Sequence, residues 1–196
     1  MTGGSSRGTG TIFATNPLKT PHCHRVTVPF SHPAALRAEE LLEHCGVERL
    51  RRSGPGGQRR NKVETAVRVR HRPTGVGAEA SERRSQAENR RIALGRLRLN
   101  LALEIRRPCA ADQGPSPLWQ SRCRCGRISV SASHDDFPAL LAEALDSIAA
   151  RGGDVKQTAQ VLGCTASQLI KFLKKEARAL ALVNRWRSVG GLTQLQ

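Results

Sequence analysis

The stretch TAVRVRHRPTGVGAEA, residues 65–80, has the most regular alternation of apolar and polar residues in the chain. Its first half divides into two sets of side chains, Val67, Val69 and His71 on one face and Arg68, Arg70 and Arg72 on the other. This period of two predicts a half-buried strand with an arginine-lined outer face. Pro73 and Gly75 fit positions i+1 and i+3 of a type I turn, and the alternation resumes over residues 76–80. The pattern therefore predicts a β-hairpin.

A helix is predicted directly after the hairpin. Ser85-Gln86-Ala87-Glu88 has the spacing of a capping box, in which Ser85 caps the first turn and Glu88 bonds back to it. Apolar residues then recur at helical spacing and predict a face that packs on the hairpin: Leu94, Leu97, Leu101 and Ile105. A basic stripe is expected on the opposite face, at Arg84, Arg91 and Arg98, and Pro108 is expected to end the unit.

Two shorter elements are predicted upstream of the hairpin. Residues 35–45 have helical character up to Gly46, and residues 47–52 are expected to form a short strand. Residues 1–33 are rich in Gly, Ser, Thr and Pro, which is typical of a flexible leader. Residues 34–107 are therefore predicted to form one small α+β domain, a short antiparallel sheet with a packed helix.

The loop SGPGGQRRN, residues 53–61, separates the two predicted strands. Gly56 and Gly57 have no Cβ, so the backbone there can approach a ligand closely. Gln58 follows with a backbone N–H and a neutral amide. Cationic and amide side chains flank these three residues at Arg51, Arg52, Arg59, Arg60, Asn61 and Lys62. Such a loop suits the delivery of an N–H donor into a phosphate-rich pocket.

The charge of the chain is concentrated in this first domain. The whole chain has a net charge of +16, and residues 48–107 hold 17 basic and 6 acidic residues, a net of +11. This excess favours a polyanionic partner, either a nucleic acid or an anionic membrane surface. The sequence has no run of roughly 20 apolar residues, which excludes an integral membrane protein. Arg84 and Arg91 are expected to add to the basic surface of the loop.

A second unit, all helical, is predicted over residues 134–188, after a linker at residues 108–133 and before a tail at residues 189–196. One amphipathic helix is expected from Phe137 to Gly152. Asp154 should cap a short helix, Gly163 should turn the chain, and Thr165 or Ser167 should cap a long helix that reaches Leu180. This spacing is typical of a helix-turn-helix. The second helix offers Lys171, Lys174 and Lys175 as contacts to RNA; the alternative is a plain three-helix bundle. The unit is expected to fold independently.

Four separated motifs of the first domain resemble one known family. Ser53-Gly54-Pro55-Gly56-Gly57-Gln58, Asn61-Lys62, Pro73-Thr74-Gly75, and Arg84-Ser85-Gln86 with Asn89 are similar in kind and order to the catalytic domain of class I peptide chain release factors. The resemblance covers residues 47 to about 105. It implies hydrolysis of the peptidyl-tRNA ester on the ribosome, with Gly56, Gly57 and Gln58 as the catalytic residues and ribosomal RNA and peptidyl-tRNA as partners.

The rest of the chain departs from that family. Complete release factors have a stop-codon-reading domain, and residues 1–47 are too few to encode one. The expected activity is therefore codon-independent release, as in the rescue of stalled ribosomes. The alternatives are hydrolysis on split large subunits, or a non-enzymatic nucleic-acid-binding protein that uses the helix-turn-helix. A cytoplasmic monomer is expected, with organelle import the less favoured location. Cys123-x-Cys125 and His22-Cys23-His24 lack the spacing of common zinc sites, so no metal or other cofactor is expected.

Overall fold

The computed structural model describes residues 32–50, 65–109 and 113–196 of the chain. The first part contains a three-stranded antiparallel sheet of strand order β1-β2-β3. The strands are β1 (Cys45–Leu50), β2 (Ala66–His71) and β3 (Gly77–Ala80). A long helix, α2 (Gln86–Glu104), packs on this sheet, and the α+β class is therefore confirmed. The predicted leader lies outside the described residues up to position 31.

The β2–β3 hairpin has the predicted faces. Val67, Val69 and His71 are buried, whereas Arg70 and Arg72 are exposed. The turn differs from the predicted type I turn, because the Gly75 N–H donates to the His71 oxygen at 2.8 Å and so spans five residues. Gly75 has φ +74°, a left-handed conformation that glycine adopts without the steric cost of a Cβ.

Helix α2 begins where the capping box predicts. The Ser85 hydroxyl accepts a hydrogen bond from the Glu88 N–H at 3.4 Å. Leu94, Leu97 and Leu101 are buried against β2 and β3 as expected. The helix ends earlier than predicted, at Glu104, with Ile105 as its extended C-cap.

The segment before the sheet is not one helix over residues 35–45. A 3₁₀ turn spans Pro33–Ala35, and a short helix, α1, spans Ala38–Glu43. Leu36 and Arg37 between them have extended backbone angles, which divides the predicted helix in two. Gly46 lies inside β1 rather than at a helix end, so the strand begins earlier than the predicted residue 47.

The segment interpreted as a linker contains secondary structure. Residues Pro117–Arg122 form helix α3, and a hairpin of two-residue strands follows, β4 (Cys123–Arg124) and β5 (Arg127–Ile128). Trp119 is only 1% exposed, and its indole N–H donates to the Leu162 oxygen at 2.8 Å. Trp119 is therefore a packing anchor of this segment.

Four helices follow: α4 (Phe137–Ala150), α5 (Val155–Val161), α6 (Ala166–Leu173) and α7 (Ala177–Val189). Asp154 caps α5 as predicted, and of the two candidates Thr165 is the cap of α6. The predicted long helix is interrupted, because Glu176 leaves the helical conformation and caps α7 with its own carboxylate. Helices α5 and α6, joined through Gly163 at φ +66°, retain the helix-turn-helix order.

The two units share one hydrophobic core. Helix α4 packs on α2 and on the Pro33–Ala35 turn, and its apolar side chains join those of the sheet. At the junction Arg106 donates to the Asp146 carboxylate at 2.9 Å, and both side chains are mostly buried. The helical unit is expected to fold independently. In the intact chain, however, α2 covers an apolar face of α4 that a separated helical unit would expose to water. Across the described ranges no helix has the length and apolar character needed to cross a membrane.

His32 makes the start of the described chain sensitive to acid. Its Nδ1 accepts from the Ala34 N–H at 3.1 Å, so Nε2 carries the proton toward the Ile105 oxygen at 3.2 Å. Burial is the main cause that lowers the pKa of His32 from 6.5 to about 4, and Arg106 and Arg107 lower it further. The neutral ring is thus favoured in the folded state, and this stabilisation is present above pH 6.5 and lost as the pH falls toward 4.

We expect His32 alone to lower the free energy of unfolding by about 3 kcal/mol between pH 7 and pH 4. Chemical denaturation at several pH values measures this loss in the wild type, and His32→Gln should remove it from the pH profile. His44→Gln, at an exposed histidine, serves as the control and should retain the acid loss that His32 causes. An unaltered acid loss in His32→Gln contradicts the assignment.

Candidate functional site

The glycine-rich loop connects two hydrogen-bonded strands. It joins the end of β1 to the start of β2, and Leu50 and Ala66 are register partners across the antiparallel ladder. Both ends of the loop are therefore held side by side at one end of the sheet. The loop itself, residues 51–64, lies outside the described residues, and with it the predicted catalytic residues and six of the predicted RNA contacts: Gly56, Gly57, Gln58, Arg51, Arg52, Arg59, Arg60, Asn61 and Lys62.

Asn89 clamps the base of this loop. Its amide N–H group donates to the Thr65 oxygen at 2.7 Å and to the Arg83 oxygen at 2.8 Å, and its Oδ1 accepts from the Arg83 N–H at 2.9 Å. The side chain is completely buried. Three segments thus meet at one amide: the residue that follows the loop, the connection after β3, and the first turns of α2. This explains why Asn89 accompanies the Arg84-Ser85-Gln86 motif.

The same end of the molecule is basic. Arg84 and Arg91 are exposed near the N-terminal end of α2, as the sequence predicted. Arg83 and Arg90 are exposed beside them, and the sequence analysis did not single them out. The doublets 83–84 and 90–91, one on each side of Asn89, were the available signal. These arginines therefore flank, in sequence, the residue that ties α2 to the loop base.

Other arginines of the predicted basic faces are engaged within the fold. Arg68 bonds Glu79 at 2.6 Å and lies 3.5 Å from Glu48, its partners on the two neighbouring strands. The outer face of the sheet is therefore less basic than its sequence indicates. Arg98 donates to the Ala34 oxygen at 3.2 Å, and desolvation lowers its pKa. It packs between two elements instead of extending the stripe of Arg84 and Arg91.

His71 is a core histidine, as predicted from its strand face. It is 1% exposed, and its Nδ1 lies 2.8 Å from the Thr74 hydroxyl in the hairpin turn. Desolvation, with a smaller contribution from His44, lowers its pKa, which is expected for a neutral buried ring. Within the described ranges no three His, Cys, Asp or Glu side chains come close enough together to hold a metal ion.

The three predicted lysine contacts divide between two surfaces. Lys171 and Lys175 line one cavity of about 750 Å³ beside α6, together with arginines of the β4–β5 hairpin. Lys174 is exposed but does not line that cavity. The sequence analysis missed Arg124 and Arg127 because it interpreted residues 108–133 as a linker. The Cys125-Gly126 pair between them gave little warning of the hairpin, because Cys-Gly is not one of the dipeptides that mark two-residue turns.

We expect Asn89→Ala to reduce the free energy of unfolding by about 1–3 kcal/mol. The change removes three part-buried hydrogen bonds to the backbone of Thr65 and Arg83 and frees the loop base. Asn100→Ala is the matched control, because Asn100 lies on the same helix and bonds the Gly77 oxygen at a half-exposed site that water can reach. Equal losses of stability in the two variants, measured by urea denaturation, contradict the clamp.

Comparison with known proteins finds a family match within this domain. Residues 42–116 match the RF-1 domain family. Peptide chain release factor 1 of Chlorobaculum tepidum is 46% identical over 66 residues, which cover 34% of this chain and 17% of the relative. The chloroplastic peptide chain release factor PrfB1 of Arabidopsis thaliana is 36% identical over 101 residues, covering 48% of this chain and 22% of the relative.

These matches confirm the resemblance found in the motifs, within limits set by their length. The chain spans about a fifth of the length of these curated relatives. The family model includes the sheet, α2 and the loop between β1 and β2, and it ends before α3 begins. Residues 42–116 are therefore similar to the catalytic domain of class I peptide chain release factors.

Proposed function

We propose that this chain hydrolyses the ester bond of peptidyl-tRNA on the ribosome. The observation that carries the proposal is an intact Gly56-Gly57-Gln58 sequence inside a matched release factor domain. The described geometry supports it, because paired strands and the Asn89 clamp hold both ends of that loop at one basic end of the sheet.

The proposed chemistry is electrostatic. Ester hydrolysis by water develops negative charge on the carbonyl oxygen and on the leaving 3′ oxygen of the tRNA. The Gln58 backbone N–H donates to that charge, and loss of one such donor typically costs roughly 10²–10³ in rate. The Gln58 side chain orients the water, which attacks the carbonyl carbon while the tRNA 3′ oxygen leaves with a proton. The ribosomal RNA supplies much of the remaining site.

The proposed RNA contacts surround this loop. Arg84 and Arg91 contact RNA phosphates together with the cationic side chains of the loop: Arg51, Arg52, Arg59, Arg60 and Lys62. Asn61 contributes an amide. On the helical unit, Lys171, Lys174 and Lys175 are the proposed contacts. The chain acts as a cytoplasmic monomer without a cofactor.

We propose further that release is codon-independent and serves stalled ribosomes. The relatives share about a fifth of their length with this chain, and residues 117–196 of this chain lie outside the family match and form mostly helices. A helix-turn-helix unit thus accompanies the catalytic domain here. Its role in the proposal is to select the ribosomal complex, since the basic domain supplies most of the charge that holds RNA.

Release of labelled peptide tests the proposal. Ribosomes with peptidyl-tRNA and an empty A site are compared with and without a stop codon, and isolated large subunits that bear peptidyl-tRNA form a third arm. Equal release with and without the codon supports the rescue function. Release restricted to large subunits supports the split-subunit alternative. Release only with a stop codon overturns codon independence, and no release in any arm overturns the enzyme.

A further inference from the structure

A basic cavity lies outside the matched domain. It has a volume of about 750 Å³ and opens between residues 121–134 and the side of α6. Cationic or titratable groups come from both walls: Arg122, Arg124, Arg127, His134, Lys171 and Lys175. Among the described residues that line it there is no carboxylate. The site therefore has the chemistry of an anion-binding surface.

Two of these cations are already used inside the protein. Arg122 donates to the Asp136 carboxylate at 2.6 Å through Nη2 and at 3.0 Å through Nε. Lys175 donates to the Val130 oxygen through its ammonium group. Lys175 therefore joins the two walls of the cavity, and Arg122 is held by its bonds to Asp136. The remaining three cations, Arg124, Arg127 and Lys171, are exposed and are the groups that can bind a ligand.

The hairpin fixes its two arginines beside the cavity. Arg124 and Arg127 are register partners on either side of a two-residue turn. Cys125 and Gly126 have φ +49° and +74°, as a type I′ turn requires at both central positions. The Gly126 oxygen accepts from the Thr165 N–H at 3.3 Å, which docks the hairpin on the N-terminal end of α6. A non-glycine residue at positive φ costs free energy, so the surrounding contacts enforce this turn.

One side of α6 forms the opposite wall. Gln168 and Lys171 lie three residues apart and share a helix face, and Lys175 follows just beyond the end of the helix. A typical helix-turn-helix reads DNA with the N-terminal residues of its second helix. Here the hairpin bonds that end, since the Thr165 N–H donates to the Gly126 oxygen, while Thr165 itself stays exposed. The side of the helix beside the cavity presents charges and amides suited to phosphates.

We propose that this cavity binds the phosphate backbone of RNA. Arg124 and Arg127 from the hairpin and Lys171 from α6 contact phosphate oxygens. Ser129, Ser131 and Gln168 on the same walls offer hydrogen bonds to phosphate and ribose oxygens. The choice of RNA over DNA rests on the proposed ribosomal function. The site is an RNA contact that the helical unit adds to those of the loop, and it involves a hairpin beyond residue 116, where the match to the family model ends.

Fluorescence anisotropy with a labelled 16-base-pair RNA duplex tests the site in the full chain. The double variant Arg124→Glu/Arg127→Glu is compared with Lys156→Glu/Arg185→Glu, which removes the same charge at exposed positions of α5 and α7 outside the cavity. We expect about a tenfold loss of affinity at physiological salt from the first and less than twofold from the second. The triple variant Arg124→Ala/Arg127→Ala/Lys171→Ala should reduce the log–log salt slope by about 2–3.

Each outcome decides the proposal. Equal losses in the two double variants, or an unchanged salt slope in the triple variant, overturn a defined site in favour of the overall field. Tenfold tighter binding of the matching DNA duplex overturns the assignment to RNA. Thermal unfolding of every variant shows whether the fold is intact, and Arg124→Lys/Arg127→Lys should restore most of the affinity if unfolding complicates the reversal.

The binding assay separates this inference from the proposed enzyme. It requires no peptide release and measures binding of the RNA duplex alone. Loss of RNA binding in the cavity variants together with no release by the wild type retains the site and removes the enzyme. Unchanged RNA binding in the cavity variants together with normal release by the wild type removes the site and retains the enzyme.

Discussion

Gly57→Ala should lower the rate of peptide release by about 10²–10³-fold, while affinity for the ribosome changes little. The added Cβ prevents the close approach of the backbone that brings the Gln58 N–H to the developing negative charge. The arginines that hold RNA are unaffected, so binding and catalysis should separate. Single-turnover release from saturated ribosomes measures the rate, and a filter-binding titration measures the affinity.

Two controls make this result specific. Gln58→Ala retains the backbone N–H and should reduce release by water much less than Gly57→Ala. Gly95→Ala makes the same chemical change on the exposed side of α2, where an added Cβ meets nothing within 4 Å. It should leave release unchanged and stabilise the chain by about 0.5–1 kcal/mol. Full release by Gly57→Ala would remove the catalytic assignment of the loop.

Asp146→Ala should reduce the free energy of unfolding by about 3–5 kcal/mol. The carboxylate accepts from Arg106 at 2.9 Å and from the Arg107 N–H at 3.1 Å, and its removal leaves the buried Arg106 guanidinium without its counter-charge. Domains of this size have roughly 5–15 kcal/mol in total, so the loss is a large part of the stability. Urea denaturation followed by circular dichroism measures it.

A double variant tests whether the charge or the packing is responsible. Arg106→Met/Asp146→Leu replaces the pair by apolar side chains and should recover most of the lost stability, because neither charge is left buried alone. Arg106 also contacts the Trp186 ring at 5.9 Å, and methionine keeps an apolar contact there. A single-variant loss below 1 kcal/mol would show that water reaches the junction.

The sequence was sufficient for elements whose signals are local. The alternation of residues 65–80 placed the hairpin, and Ser85 placed the start of α2, because pleat and cap are determined within a few residues. The tripeptide 56–58 with its neighbours led to the correct domain family. The prediction of an arginine-lined outer face was only partly correct, because Arg68 is neutralised by Glu48 and Glu79. Those two glutamates lie opposite Arg68 only when the three strands align in this register, which the sequence pattern does not determine.

Elements determined by distant contacts could not be predicted. The β4–β5 hairpin has strands of two residues, too short for any period, and it exists where Gly126 docks on Thr165. Asn89 was recognised as part of a motif, but its partner Thr65 lies 24 residues away. The break before α7 also had no strong local signal, since Glu176 caps that helix from within a run that favours helix.

Helix α2 belongs to both halves of the molecule. Asn89 in its second turn holds the loop base, and its C-terminal part packs on α4, with Arg106 tied to Asp146 just beyond its end. Its 19 residues span about 28 Å at 1.5 Å per residue. The helix thus sets a fixed distance between the loop and the helical unit. A ligand can contact both at once only if its two binding surfaces are that distance apart, and adding or removing helical turns changes the distance.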